Sequence, residues 1–108
     1  MIVDQQVYFA RPIGMKGPVK IGLSTDPDKR VRDISRYSPF ELEIIARING
    51  DALIERRFHA AFEESHIRYE WFEWSDKLSY FVALINDGQF SRSFLPRKPK
   101  VLHYRRAA

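Results

Sequence analysis

The sequence predicts an α+β domain, a small three-stranded antiparallel sheet flanked by three helices. Three observations carry that prediction. Two short alternating runs, Val7-Tyr8-Phe9 and Val19-Lys20-Ile21, flank a turn rich in Pro and Gly, which is the pattern of a β-hairpin. A third alternating run spans Leu42 to Ile48. Three further stretches repeat apolar residues at three- and four-residue spacing, each opened by a capping residue. The order strand, strand, helix, strand, helix, helix, with strands this short, implies helices packed on an antiparallel sheet.

Each element has a local cause. A strand alternates its side chains, so Val7 and Phe9 share one face while Tyr8 takes the other, and Val19 and Ile21 share one face while Lys20 takes the other. With the two apolar pairs on the core side, Tyr8 and Lys20 emerge together on the opposite side. Asp26 is an N-cap and Pro27 suits the first helical position, so the first helix runs to about Tyr37. Val31, Ile34 and Tyr37 or Ser38 face inward, and Ser38-Pro39 ends it. In the third strand Leu42, Ile44, Ala46 and Ile48 alternate with Glu43, Ile45 and Arg47, and Asn49-Gly50 closes it. Asp51 caps a second helix over residues 52 to about 65, with Ile54, Phe58, Ala61 and Phe62 as its buried stripe and Glu55 and His59 on a neighbouring face. The aromatic segment from Tyr69 to Trp74 follows. Ser75-Asp76 opens a third helix with Leu78, Phe81, Val82 and Ile85 inward, stopped at Asp87-Gly88.

The chain has 108 residues, 44% hydrophobic and 30% charged, which fits one globular domain with a single modest core. No apolar run approaches the ~20 residues that span a bilayer, and the start lacks a signal-peptide core, so no membrane partner is expected. With no cysteine, a disulfide framework and a thiolate metal site are both excluded. A cytoplasmic protein is the expectation.

The net charge of +4 is unevenly spread. Residues 1–90, read as the domain proper, hold twelve Lys and Arg against fourteen Asp and Glu. Residues 91–108 hold Arg92, Arg97, Lys98, Lys100, Arg105 and Arg106 and no acid, so they read as a basic C-terminal tail. Such a tail draws polyanions through counterion release without reading sequence, or simply solubilises the chain.

Singly, the candidate residues have plain structural explanations. A tyrosine is a good strand former, Lys20 suits a solvated strand face, Arg30 can pair along its helix, and His59 can sit half packed on a polar face. Glu70 between Tyr69 and Trp71 is harder to place, because a carboxylate among aromatics needs a cation or donors. Together, a phenol beside an ammonium, with an arginine arriving from the next helix, suit work on a phosphate.

The ordered set resembles the GIY-YIG nuclease superfamily, in particular a small stand-alone branch whose second motif reads KIG. Gln6-Val7-Tyr8 stands in place of G-I-Y and Lys20-Ile21-Gly22 in place of Y-I-G. Arg30, eight residues after Gly22, falls where the family has its phosphate-contacting arginine. Glu55-x-x-Phe58-His59 looks like the E-x-x-x-H helix, and Glu70-Trp71-Phe72 like the segment whose glutamate binds metal. Relatives also carry a helical asparagine after that glutamate, for which Asn86 is a candidate. The chain departs from the pattern at Gln6, which replaces a glycine, and at Lys20, which replaces the second tyrosine.

What the resemblance implies is a metal-dependent endonuclease that hydrolyses phosphodiester bonds in DNA, with no small-molecule cofactor. Glu70 would anchor Mg²⁺ (or Mn²⁺) with waters completing its shell, and Arg30 would hold the scissile phosphate in its planar fork. Tyr8 would be the base for the attacking water. A free phenol titrates near about 10, and the Lys20 ammonium would favour its ionised form. His59 would orient water or share the base role. Whether Tyr8 or Lys20 takes the proton stays open. Lys20 and Arg30, with Arg97, Lys98, Lys100, Arg105 and Arg106 of the tail, would contact nucleic acid. Two rival readings remain: a module on the same fold that binds nucleic acid without cutting it, and an interaction protein whose contact patch is Trp71, Phe72 and Trp74.

Overall fold

The structure is a computed structural model that describes residues 4–97. Lys98, Lys100, Arg105 and Arg106 of the expected basic tail lie outside the described residues. In chain order the elements are strands β1 (Gln6–Pro12) and β2 (Val19–Ser24), helix α1 (Pro27–Arg36), strand β3 (Leu42–Asn49), helix α2 (Ala52–Ala61), strands β4 (His66–Arg68) and β5 (Trp71–Phe72), and helix α3 (Asp76–Asn86). One-turn 3₁₀ segments occupy Glu63–Ser65 and Arg92–Phe94.

The sheet is antiparallel with five strands in the order β3-β1-β2-β5-β4, which corrects the three-stranded expectation. The added hairpin is short: β5 pairs only Phe72 with Val19 and Trp71 with Lys20. Strands of two and three residues are too short to show a period, so the sequence could not announce them. The third strand is also less regular than its alternation suggested. Phe9 pairs with Ala46 but Ala10 with Ile44, so Ile45 is an extra residue in a bulge. Beyond the bulge the facing flips: Leu42 and Ile44 lie with Tyr8, whereas Ala46 and Ile48 lie with Phe9.

The caps are as predicted. Asp26, Asp51 and Ser75 accept hydrogen bonds from the backbone N–H of Lys29, Ile54 and Leu78 at the starts of α1, α2 and α3. Helix α2 ends at Ala61, short of the expected residue 65, and there the Lys77 ammonium donates to the Ala61 carbonyl at 2.6 Å. A cation at a helix C-terminus satisfies an orphan carbonyl and complements the dipole.

Helices α2 and α3 cover one face of the sheet. Val7, Phe9, Val19 and Ile21 meet Ile54, Phe58, Phe62, Leu78 and Phe81 there. Phe9 and Phe58 pack edge to face at 5.2 Å, and Phe62 and Phe81 at 5.1 Å. Full burial of each such ring is worth ~1.5–3 kcal/mol, so this face supplies most of the stability. Leu95, 3% exposed, completes it. The Arg57 guanidinium donates to the carbonyls of Arg92 and Pro96 and holds that return segment in place. Packing therefore continues past residue 90, where the sequence drew the boundary of the domain.

Helix α1 covers the other face with a smaller cluster of Tyr8, Ala10, Val31 and Leu42. Two clamps fix its approach to β3. Arg47 forks onto both oxygens of Asp28 at 2.7 and 3.1 Å. Ser35 Oγ donates to the Val31 carbonyl and accepts from the Leu42 N–H. Tyr37, one of two inward candidates at the end of this helix, is 91% exposed, because the helix ends at Arg36 before its ring can turn back.

Candidate active site

Lys20, His59 and Glu70 meet where the β2–β5 ladder ends. Past Lys20, β2 has no strand partner on its β5 side. Its free backbone groups are taken up by the candidates themselves: the Ile21 N–H donates to the Glu70 carbonyl at 2.9 Å, and the Ile21 carbonyl accepts from His59 Nε2 at 2.9 Å. Satisfying these two groups at a sheet end draws Glu70 and His59 to the same residue.

Glu70 is held twice by β2. Besides its backbone bond, its Oε1 accepts from Lys20 Nζ at 2.9 Å, with both side chains mostly shielded from solvent. The preceding turn aims it: Tyr69 has φ 51°, a left-handed conformation uncommon outside glycine. His66 Nε2 donates to the Tyr69 carbonyl at 2.7 Å and Arg68 lies 5.0 Å over the Tyr69 ring, two contacts that sustain the turn. The Lys20 ammonium also lies 5.7 Å from the Trp71 ring.

Tyr8 and Lys20 share a sheet face, as the alternation predicted: Lys20 stands opposite Ala10, and Tyr8 stands opposite Gly22. The Tyr8 ring lies over Gly22 so closely that a Cβ there would fall 2.5 Å from its Oη. Tyr8 is fully buried, its hydroxyl included. Residues of helix α1 and Trp71 of β5 pack around it.

His59 is also deeper than its position on a polar face suggested. It is 2% exposed, its ring 5.2 Å from that of Phe72. Because a carbonyl accepts from Nε2, that nitrogen carries a proton. Burial pushes the imidazolium below its ordinary value of 6.5, outweighing the Ile21 carbonyl and the Glu70 charge, which both favour the cation. His59 is thus a neutral clamp on β2, with Glu55 Oε2 4.0 Å away in the same core.

Arg30 is exposed on α1 and makes no ion pair among the described residues. Asp28 and Ser35 both turn toward β3. Arg30, two residues after Asp28, is about 200° further round the helix, so it takes the flank away from the one that Asp28 and Ser35 turn to β3. Its α1 neighbours are committed elsewhere: Lys29 donates to Asp33 at 2.8 Å and keeps that carboxyl below its ordinary range. Asn86 does not join the cluster. Its Nδ2 donates to the Ile45 carbonyl on β3, at the far edge of the sheet from β5. Arg97 is exposed.

His66 and Arg68, which shape the turn that aims Glu70, belong to no spacing pattern, so nothing in the sequence marks them. Nor is the proposed contact patch a surface. Phe72 is fully buried in the main core, and Trp71 and Trp74 are half-buried, Trp74 beneath the Arg11 guanidinium at 4.7 Å.

The fold and its polar cluster define an α+β domain in which a lysine and a glutamate from separate hairpins meet beside a buried tyrosine. The chain belongs to the T5orf172 domain family, whose family model matches residues 5–86. That span runs from β1 to the end of α3 and takes in Tyr8, Lys20, Arg30, His59 and Glu70. No curated protein and no solved structure matches the chain significantly. Among the described residues no helix is long and apolar enough to cross a membrane.

Proposed function

We propose that this chain is a metal-dependent endonuclease of GIY-YIG type that hydrolyses phosphodiester bonds in DNA inside the cell. The observation that supports it best is the meeting of Lys20 and Glu70 at 2.9 Å, on the sheet face that Tyr8 shares. Cleavage needs a base for water, cations for the phosphate and help for the leaving oxygen. These residue types answer those needs one by one.

Glu70 suits the metal. Among the described residues no cluster of three His, Cys, Asp or Glu could cage an ion. A lone, hard carboxylate fits Mg²⁺ or Mn²⁺ that keeps most of its waters, and not zinc. Such an ion, when bound, would stabilise the negative charge on the 3′ leaving oxygen. Arg30, exposed and uncommitted, holds the phosphate through paired N–H bonds. Lys20 brings positive charge to the Tyr8 face and keeps Glu70 aimed. His59, through the Ile21 carbonyl, fixes the strand that carries Lys20.

One observation favours a second reading, a module that binds DNA without cutting it: the Tyr8 hydroxyl is closed from solvent. Catalytic contacts often form only once substrate is bound, so the nuclease reading comes first. Plasmid DNA incubated with Mg²⁺, with Mn²⁺ and with chelator separates the two. Nicking that needs the ion and disappears in Glu70→Ala is the expected result. Glu70→Ala cutting at the unaltered rate removes the metal site, and binding without nicking leaves the second reading.

A further inference from the structure

Beside the Lys20–Glu70 pair runs a groove of ≈ 280 Å³ that the cleavage chemistry does not use. It lies between the loop after α1 and the β4–β5 hairpin. Pro12, Pro18, Phe40, Leu42, Ile67 and Trp71 make it apolar, with Arg68 as its charged wall. Phe40 is 53% and Ile67 50% exposed, so the apolar lining is open to solvent.

We infer that this groove takes one unpaired nucleobase next to the phosphate being cut, so that the substrate is DNA with a single-stranded or splayed nucleotide and not continuous duplex. The inference rests on the nuclease reading and names the substrate of that site. Its size lies just under the range of about 300–1,000 Å³ usual for small-ligand sites, enough for a single base and too small for a helix. Trp71 links it to the reaction centre: the same side chain lines the groove and lies 5.7 Å from the Lys20 ammonium that pairs with Glu70. A base seated on Trp71 therefore leaves its phosphate near those charges.

The surrounding charge fits a polyanion. Leu42 also lines a neighbouring cleft of ≈ 430 Å³ that carries Arg32 and Arg36 beside Glu41, with Arg36 also 3.8 Å from Asp33. The path thus runs from two arginines, over an aromatic floor, to Arg68. A basic track interleaved with aromatic faces is how single strands are held, since every base offers a π-face. Bases within a duplex are already stacked and gain nothing from Phe40 or Trp71 unless they leave the helix.

Tryptophan quenching tests this directly. The chain has two tryptophans, so Trp74→Phe leaves Trp71 as the reporter. In chelator and low salt, a thymidine oligomer of about ten nucleotides is expected to quench Trp71 and to bind more tightly than a blunt duplex of equal length. Phe40→Ala, in a loop and exposed, should fold as judged by circular dichroism. It should weaken single-strand binding ~10-fold and leave duplex binding unchanged. Equal quenching by duplex, equal losses for both ligands, or a concentration-dependent dimer that Phe40→Ala dissolves would each overturn the inference. Because the assay contains no metal ion, its outcome is independent of cleavage. Single-strand preference without any cutting keeps the groove and removes the nuclease, whereas cutting of plain duplex without that preference does the reverse.

Discussion

Tyr8 and Gly22 occupy one another's space: a Cβ on Gly22 would lie 2.5 Å from both Cζ and Oη of the Tyr8 ring and 2.9 Å from Cε1. The two residues stand opposite each other in the β1–β2 hairpin. The glycine that ends one short motif is thus required by the tyrosine that ends the other. No left-handed backbone is involved, only the absence of a side chain. Gly22→Ala should destabilise by about 1–3 kcal/mol through overpacking. Urea unfolding would measure it, and the loss should shrink when Tyr8→Leu clears the ring from that site.

Glu70→Ala should abolish cleavage while DNA binding persists, because in the proposed nuclease Glu70 holds the metal and not the duplex. Gel shifts beside a nicking assay report both properties. The fold should survive, since the carboxylate is at the rim of the sheet and its backbone bond to Ile21 remains. Loss of binding together with cleavage would point to a structural role for Glu70.

Arg30 offers a cleaner separation of chemistry from stability. It is exposed and unpaired among the described residues, so Arg30→Ala should leave the melting temperature unchanged. Cleavage should fall ~10²–10³-fold, the usual scale for losing one donor to a developing charge. Arg30→Lys should recover little, as an ammonium lacks the paired donors. Turnover within a few-fold of the parent for Arg30→Ala would exclude the phosphate contact.

His59 makes stability depend on pH with a definite sign. Its folded value lies below the ordinary 6.5 because burial opposes the charge. As pH falls, the unfolded chain takes up this proton first. The contribution is fully present above about 6.5 and declines from there down to the lower folded value. His59→Gln keeps an N–H for the Ile21 carbonyl but does not titrate, so it should flatten that part of the curve. Urea midpoints between about pH 8 and pH 5 show this, and parallel curves for the two proteins would contradict it.

Leu95 tests how far the packed unit extends. Buried against the main core beyond residue 90, it should cost about 2–5 kcal/mol as Leu95→Ala. A stability change within about 0.5 kcal/mol, as at an open surface, would show that the return segment does not dock.

The chain by itself determined whatever depends on near neighbours: the three N-caps at Asp26, Asp51 and Ser75, the helical stripes, and the strand parity that sends Tyr8 and Lys20 to one face. Caps and periods are set within a few residues, so they are legible without the fold. Only tertiary structure decided that β4 and β5 join the sheet, that Ile45 bulges and turns β3 over, and that Tyr8 and His59 are sealed inside. It alone brought together Lys20 and Glu70, fifty positions apart in the chain. That pair exists because β2 outruns β5: the strand end leaves the Ile21 N–H in want of an acceptor, and the backbone that supplies one carries the carboxylate with it.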